Sequence, residues 1–221
     1  MAMTAPPPLE NGDRLTRLEF ERRYEAMRRI KKAELIEGVV HMPSPVRTDV
    51  HGKPHGHIMT WLGVYCAATP GVGLSDNGTL RLDDDNEVQP DGLLWIEGGR
   101  ARLGKDGYLE GAPDLIVEVA ASSAAIDLHE KRRAYRRNGV EEYIVWQVYD
   151  KKVDWFELSE GEYVPLTADE RGVIHSQVFP GLHLAVPALL EGDLAGVLAE
   201  LQKGLATPEH ATFVKKLAEQ K

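Results

Sequence analysis

Glu118 interrupts the apolar run "DLIVEVA", and a second carboxylate, Asp91, follows a proline in "VQPDGLLW". Lys131 comes later, in "DLHEKRRAYRRNGV", spaced with Leu128 and Tyr135 as i, i+3, i+7 on one helix face. Burying any one of these charges alone is costly. Two carboxylates brought close repel unless a cation lies between them. Mg2+ (or Mn2+) suits such a pair, because Mg2+ prefers one or two carboxylates plus water and phosphate oxygens. A neighbouring lysine could orient the ion's water or stabilise charge on a phosphate. The chemistry this combination predicts is hydrolysis of a phosphodiester. Each residue also has a plainer reading: Glu118 as a half-exposed strand residue, Asp91 as a turn residue, and Lys131 as a helical lysine snorkelling to solvent.

The elements that must position these residues follow from periodicity. Alternation along a strand from Leu115 to Ala120 puts Asp114, Ile116, Glu118 and Ala120 on one face and Leu115, Val117 and Val119 on the other. Pro90 lacks a ladder donor and predicts an edge, bulge or bend beside Asp91. A helix over about 124–138 ends at Gly139, a residue suited to a left-handed C-cap. "EEYIVWQV" and "KVDWFEL" supply two further strands around a turn at 149–151. Strand, helix and strand in this order predict a parallel crossover.

Ahead of this unit, Phe20, Tyr24 and Met27 mark one face of a charged amphipathic helix, and "AELIEGVVHM" reads as one strand or two turning at Gly38. Pro43, Pro45 and Pro54 predict a loop, followed by a buried helix over "HIMTWLGVYCAAT". Residues 73–96 read as two strands joined by an acidic turn, and 97–111 as an exposed connection. "GEYVPLTA" and "GVIHSQVF" suggest a peripheral hairpin, and the chain from Ala188 is helical in pattern. The fold class expected is α/β: a mixed β-sheet core flanked by helices, with a peripheral β-hairpin. One domain over 14–203 is expected, between a Pro-rich disordered tail (1–13) and a loosely attached C-terminal helical tail (204–221).

Composition narrows the function classes. The 221 residues are 43% hydrophobic and 28% charged, with a formal charge of −9. That balance argues against binding polyanions over the whole surface and leaves local basic patches open. The one cysteine, Cys66, excludes an intrachain disulfide. With no signal-peptide core and no membrane-length apolar run, a cytoplasmic protein is expected. The densest basic patch is "EKRRAYRRNG", where Arg132 and Arg136 share a face. It reads either as a phosphate-backbone contact or as a solvated face balanced by Glu130, Glu141 and Glu142. In "HGKPHGH", His51, His55 and His57 lack the spacing and cysteines of a structural zinc site. His57, at the start of the next helix, is a candidate substrate contact, as are Arg132, Arg136 and Tyr135.

Four segments in one order resemble the Uma2-like family of the PD-(D/E)XK nuclease superfamily: "AELIEGV", "VQPDGLLW", "GAPDLIVEV" and "DLHEKRRAYRRNGVEEYIVWQVYD". The resemblance runs from about Leu18 to Leu190. It implies a restriction-endonuclease-like fold, metal-dependent DNA cleavage with Mg2+ or Mn2+, and a homodimer. Asp91 and Glu118 would be the metal-binding carboxylates. The superfamily's usual lysine, two residues after the glutamate, is replaced here by Ala120, which makes Lys131 its counterpart on the helix. Glu34 resembles the family's additional acidic residue, with Glu37 the neighbouring alternative. Asp114 and Asp127 match family positions with structural roles open to them, Asp127 as an orienter of Lys131. The chain departs from the family in reading "AASSAA" after the strand and Ala33 before Glu34. An inactive nucleic-acid-binding or regulatory module of the same fold is the alternative. A third reading is a structural protein whose charged cluster only fixes packing.

Overall fold

The computed structural model describes residues 5–27, 29–30, 32–42 and 47–219. The loop expected at Pro43 and Pro45 and the outermost residues of both expected tails lie outside the described residues.

The centre is the expected crossover. Strand β9 (Leu115–Ala120) and β10 (Glu142–Gln147) pair in parallel, with Glu118 beside Val145. The helical connection, α3, consists of Ala124–Ile126, a π-helical turn Asp127–Lys131 and Arg132–Asn138. It stops at Gly139, whose φ of 80° is the left-handed conformation that ends helices. The neighbours of β9 and β10 are β6 (Gly92–Ile96), β3 (Val72–Asp76), β11 (Lys152–Ser159) and β12 (Glu162–Pro165), in the order β12-β11-β10-β9-β6-β3. A second sheet joins β1 (Glu34–Ile36), β2 (Val39–His41), β4 (Leu80–Asp83), β5 (Asn86–Val88), β7 (Arg102–Leu103) and β8 (Leu109–Glu110).

The two faces of β9 bury as the alternation predicts. Leu115, Val117 and Val119 pack with Ile58, Trp61, Leu62 and Tyr65 of α2 (Lys53–Ala68) and with Val197 and Leu201 of the C-terminal helices. Ile116 and Ala120 face the other core, with Tyr135, Tyr143, Leu80 and Val88. A third, smaller core gathers Phe20 of α1 (Arg17–Ala26) with Leu35 and Val40, and Tyr24 and Met27 pack against it. No described helix is long and apolar enough to cross a membrane.

Several elements differ from the sequence reading. Residues 73–96 form parts of four strands rather than two, because the chain crosses between the sheets twice, at 77–79 and at Gln89-Pro90-Asp91. The second crossing is the bend Pro90 suggested. The connection 97–111 contains the short pair β7–β8, which buries Leu109. Pro54 lies in the first turn of α2, directly after the π-helical turn Thr48–Gly52, within one continuous helical segment. The expected hairpin is split: β12 pairs with β11, while β13 (Val173–His175) pairs with β14 (His183–Ala185). Within the expected N-terminal tail, Leu9 is buried and the Gly12 amide donates to Val40 O. In the C-terminal one, His210 and Leu217 of the helix Pro208–Glu219 are buried.

Glu142, at the start of β10, ties the β13–β14 layer to the central sheet. Its Oε2 accepts from Trp155 Nε1 (3.1 Å) and Ser176 Oγ (2.8 Å), and its Oε1 from the amides of Gln177 (2.6 Å) and Val178 (3.2 Å). Burial pushes this carboxyl up from 4.5 to about 7, against the four donors that favour its ionised form. The folded state therefore holds the proton more tightly than the unfolded chain. The associated stability is present below pH 4.5 and is lost as pH rises through about 7. We expect the stability of wild type relative to Glu142→Gln to fall by about 3 kcal/mol between pH 4 and pH 8. Urea unfolding of both proteins across that range checks it; a pH-independent difference contradicts it.

Candidate active site

Antiparallel pairing of β6 with β9 sets Gly92 opposite Val117 and Leu93 opposite Ile116. Continued by one residue, this register places Asp91 opposite Glu118. Asp91 Oδ2 accepts from the Val119 amide at 2.8 Å, which fixes the carboxylate beside the glutamate's own backbone. Glu118 faces α3, where Lys131 Nζ lies 2.8 Å from Glu118 Oε1, 3.1 Å from Glu34 Oε1 and 3.6 Å from Asp127 Oδ1. Tyr135, one turn beyond Lys131, donates its hydroxyl to the same Oε1 of Glu118 at 2.9 Å. Glu34 reaches in from β1 and is steadied by the Gln89 amide at 2.8 Å. The Asp91, Glu118, Lys131, Glu34 and Asp127 side chains are thus gathered at the junction of the two sheets, all at least nine-tenths buried.

The electrostatics follow from one lysine facing several carboxylates. Burial opposes the charge on Lys131, yet Glu118, Glu34 and Asp127 hold its pKa well above the ordinary lysine value. Burial raises the Glu118 carboxyl to about 8; Lys131 pulls it down, while Asp127, Asp91 and Glu34 add to the rise. Asp127 is also raised, first by burial. Asp91 goes the other way: burial is outweighed by His51, the Val119 amide and Lys32, and its carboxyl is lowered. The cluster carries more carboxylate than its lysine can neutralise.

The remaining candidates separate. Glu34 rather than Glu37 joins the cluster; Glu37 sits at the β1–β2 turn and pairs with Arg137 at 2.8 Å. Tyr135, expected to touch substrate, is fully buried and serves Glu118 instead. Asp114 caps the neighbouring strand, accepting from the Ile96 amide at 2.7 Å. Arg132 stacks over Phe156 at 4.3 Å, and Arg136 bonds Gly161 O and Glu162. With Arg133, His129, Glu130 and Glu162 they line an open cleft of about 550 Å3. His57 is two residues past His55 and so on the far side of α2, near the Gly192 turn. His51, not singled out in sequence for this place, lies 3.2 Å from Asp91 Oδ2. The i, i+4 spacing of His51 and His55 was the available signal, obscured by reading Pro54 as a loop residue rather than a helical one.

Residues 18–187 match the model of a family described as "Uma2: Putative restriction endonuclease". No curated protein matches. Among solved structures, the chain is similar to a "putative nuclease belonging to DUF820" from Anabaena variabilis ATCC 29413, with a TM-score of 0.56 and 14% identity, over 72% of this chain and 90% of that one. This likeness extends to the fold, which is restriction-endonuclease-like.

The cage around Lys131 gives a direct stability test. Replacing Lys131 with Met leaves Glu118, Glu34 and Asp127 without their shared cation. We expect Lys131→Met to lose about 3–5 kcal/mol at pH 8, and less at pH 5, where Glu118 and Asp127 can take up protons. Chemical denaturation at the two pH values measures this. A neutral or stabilising substitution at pH 8 would instead indicate a pair that serves packing alone.

Proposed function

The chain belongs to the Uma2 family, and from that premise we propose that it is a cytoplasmic, metal-dependent endonuclease that hydrolyses phosphodiester bonds in DNA. The observation that carries this reading is the meeting of Glu118 and Glu34 on Lys131 at the sheet junction, with Asp91 fixed beside Glu118 by the Val119 amide. The donor set fits a hard divalent cation, since it is all oxygen and rich in carboxylate. Among the described residues no three His, Cys, Asp or Glu side chains are arranged to hold a metal by themselves. An ion here would rest on Asp91 and Glu118, completed by water and phosphate oxygens as Mg2+ prefers.

When bound, Mg2+ or Mn2+ supplies Lewis acidity toward the phosphate and lowers the pKa of its water. The protein's own groups do the rest. Lys131 keeps its proton and offers fixed positive charge to the phosphate or its attacking water. Tyr135 orients Glu118 from behind, and Asp127 holds Lys131 in line. Glu34 is the additional acidic group. The cleft bearing Arg132, Arg133 and Arg136 is a backbone-contact surface, which makes DNA binding salt-dependent despite the net charge of −9. A homodimer would present two such clefts to one duplex.

One observation favours the alternative of an inactive nucleic-acid-binding or regulatory module: Lys131 is already engaged by three carboxylates. Cleavage of supercoiled and linear duplex DNA in Mg2+ or Mn2+ separates the two readings. We expect cutting that stops with chelator and falls by about 100-fold or more in Asp91→Asn and Glu118→Gln, with folding retained. Full activity in chelator or in either variant contradicts the nuclease reading. DNA binding with neither cutting nor divalent-ion binding supports the module.

A further inference from the structure

Two histidines near the carboxylates have no part in the mechanism above. His51 Nε2 lies 3.2 Å from Asp91 Oδ2, and His55 Nε2 lies 3.0 Å from the Asp91 carbonyl oxygen. Their rings stack at 5.8 Å between centroids. One short stretch of chain therefore grips a single residue at both its side chain and its backbone. Asp91 stands between β5 and β6, where the chain changes sheets.

A second observation places His51 with the site. Two π-helical turns occur among the described residues, Thr48–Gly52 and Asp127–Lys131. The second carries Asp127 and Lys131. The first carries His51 and runs directly into α2, which carries His55. A π-turn widens the helix locally and re-aims its side chains, and such turns are frequent at functional sites.

The chemistry also suits histidine. A carboxylate only accepts hydrogen bonds, so the His51 contact requires a proton on Nε2; His55 Nε2 faces two acceptors, the Asp91 carbonyl and Asp76 Oδ1 at 3.1 Å, with the Asn77 side-chain nitrogen at 3.4 Å. An imidazole Nε2–H gives a carboxylate one directed hydrogen bond. Ligating carboxylates are commonly held in this way by outer hydrogen-bond partners.

We infer that His51 and His55 are positioning residues for Asp91, His51 fixing its carboxylate through Oδ2 and His55 fixing its peptide. The function of this grip rests on the proposed role of Asp91 as a metal ligand, but its geometry does not. Two measurements on the full chain keep these separate. The first, without metal, is long-range proton–nitrogen NMR of the His51 ring in wild type and Asp91→Ala. A protonated Nε2 in wild type that becomes partly bare in Asp91→Ala is expected. A bare Nε2 in wild type, or no change in the variant, overturns the inference.

The second measurement is Mn2+ titration followed by electron paramagnetic resonance. His51→Ala should weaken binding by about 10- to 100-fold, His55→Ala should weaken it less, and His51→Gln, which returns an N–H donor, should recover most of the loss. Circular dichroism checks that all three fold. Wild-type affinity in His51→Ala overturns the positioning role. If wild type binds no Mn2+ while Nε2 is protonated as expected, the ligand role of Asp91 fails and the hydrogen-bonded grip stands.

Discussion

A single buried ammonium group, Lys131, faces Glu118, Glu34 and Asp127 within 3.6 Å. No packing advantage explains why several carboxylates converge there, since apolar side chains of similar volume would fill the space at lower desolvation cost. Each charge becomes tolerable only through the others. The fold meets that requirement by bringing together three distant segments: β1 with Glu34, the bend at Asp91 running into β6, and the β9–α3 crossover with Glu118, Asp127 and Lys131. Disturbing any one of them leaves a buried charge with fewer partners, so the site and the junction of the two sheets share the same contacts.

A comparison within the molecule shows what is particular about this cluster. Glu142 is as deeply buried as Glu118, but both its oxygens are met by neutral donors from Trp155, Ser176, Gln177 and Val178. That arrangement is complete in itself, and it fastens one layer to another. Among the described residues the hydrogen bonds to Glu118, by contrast, fall on Oε1, from Lys131 and Tyr135, and three other carboxylates raise its pKa. Burial by itself does not mark a functional carboxylate. The like charges around Glu118 are what its proposed role is argued from.

Much of the centre was legible in the residues. Alternation along 115–120 gave both faces of β9, and the strand–helix–strand order with Gly139 gave the parallel crossover. The spacing of Lys131 and Tyr135 gave the helix face that meets Glu118. The periphery was harder. β7 and β8 are two-residue strands, too short to show a period, and β13 pairs with β14 across a connection whose Pro180-Gly181 turn signal was passed over. Register cannot be read from one strand alone, so the approach of Glu34 needed the second sheet to be seen. Tyr135 was assigned to the substrate because its helix position says nothing of depth. His51 was passed over because prolines on either side suggested irregular chain, whereas Pro54 lies within a helical segment. The segment matches that pointed to the family held the carboxylates and the lysine, but not the histidines that hold Asp91.

The measurement that bears most directly on this account is an anomalous difference map from crystals of the wild-type protein soaked in Mn2+. The account expects a manganese peak within coordination distance of both the Asp91 and Glu118 carboxylates, with Lys131 still beside Glu118. A map with no manganese at that pair, while the ion is bound elsewhere on the molecule, would contradict it.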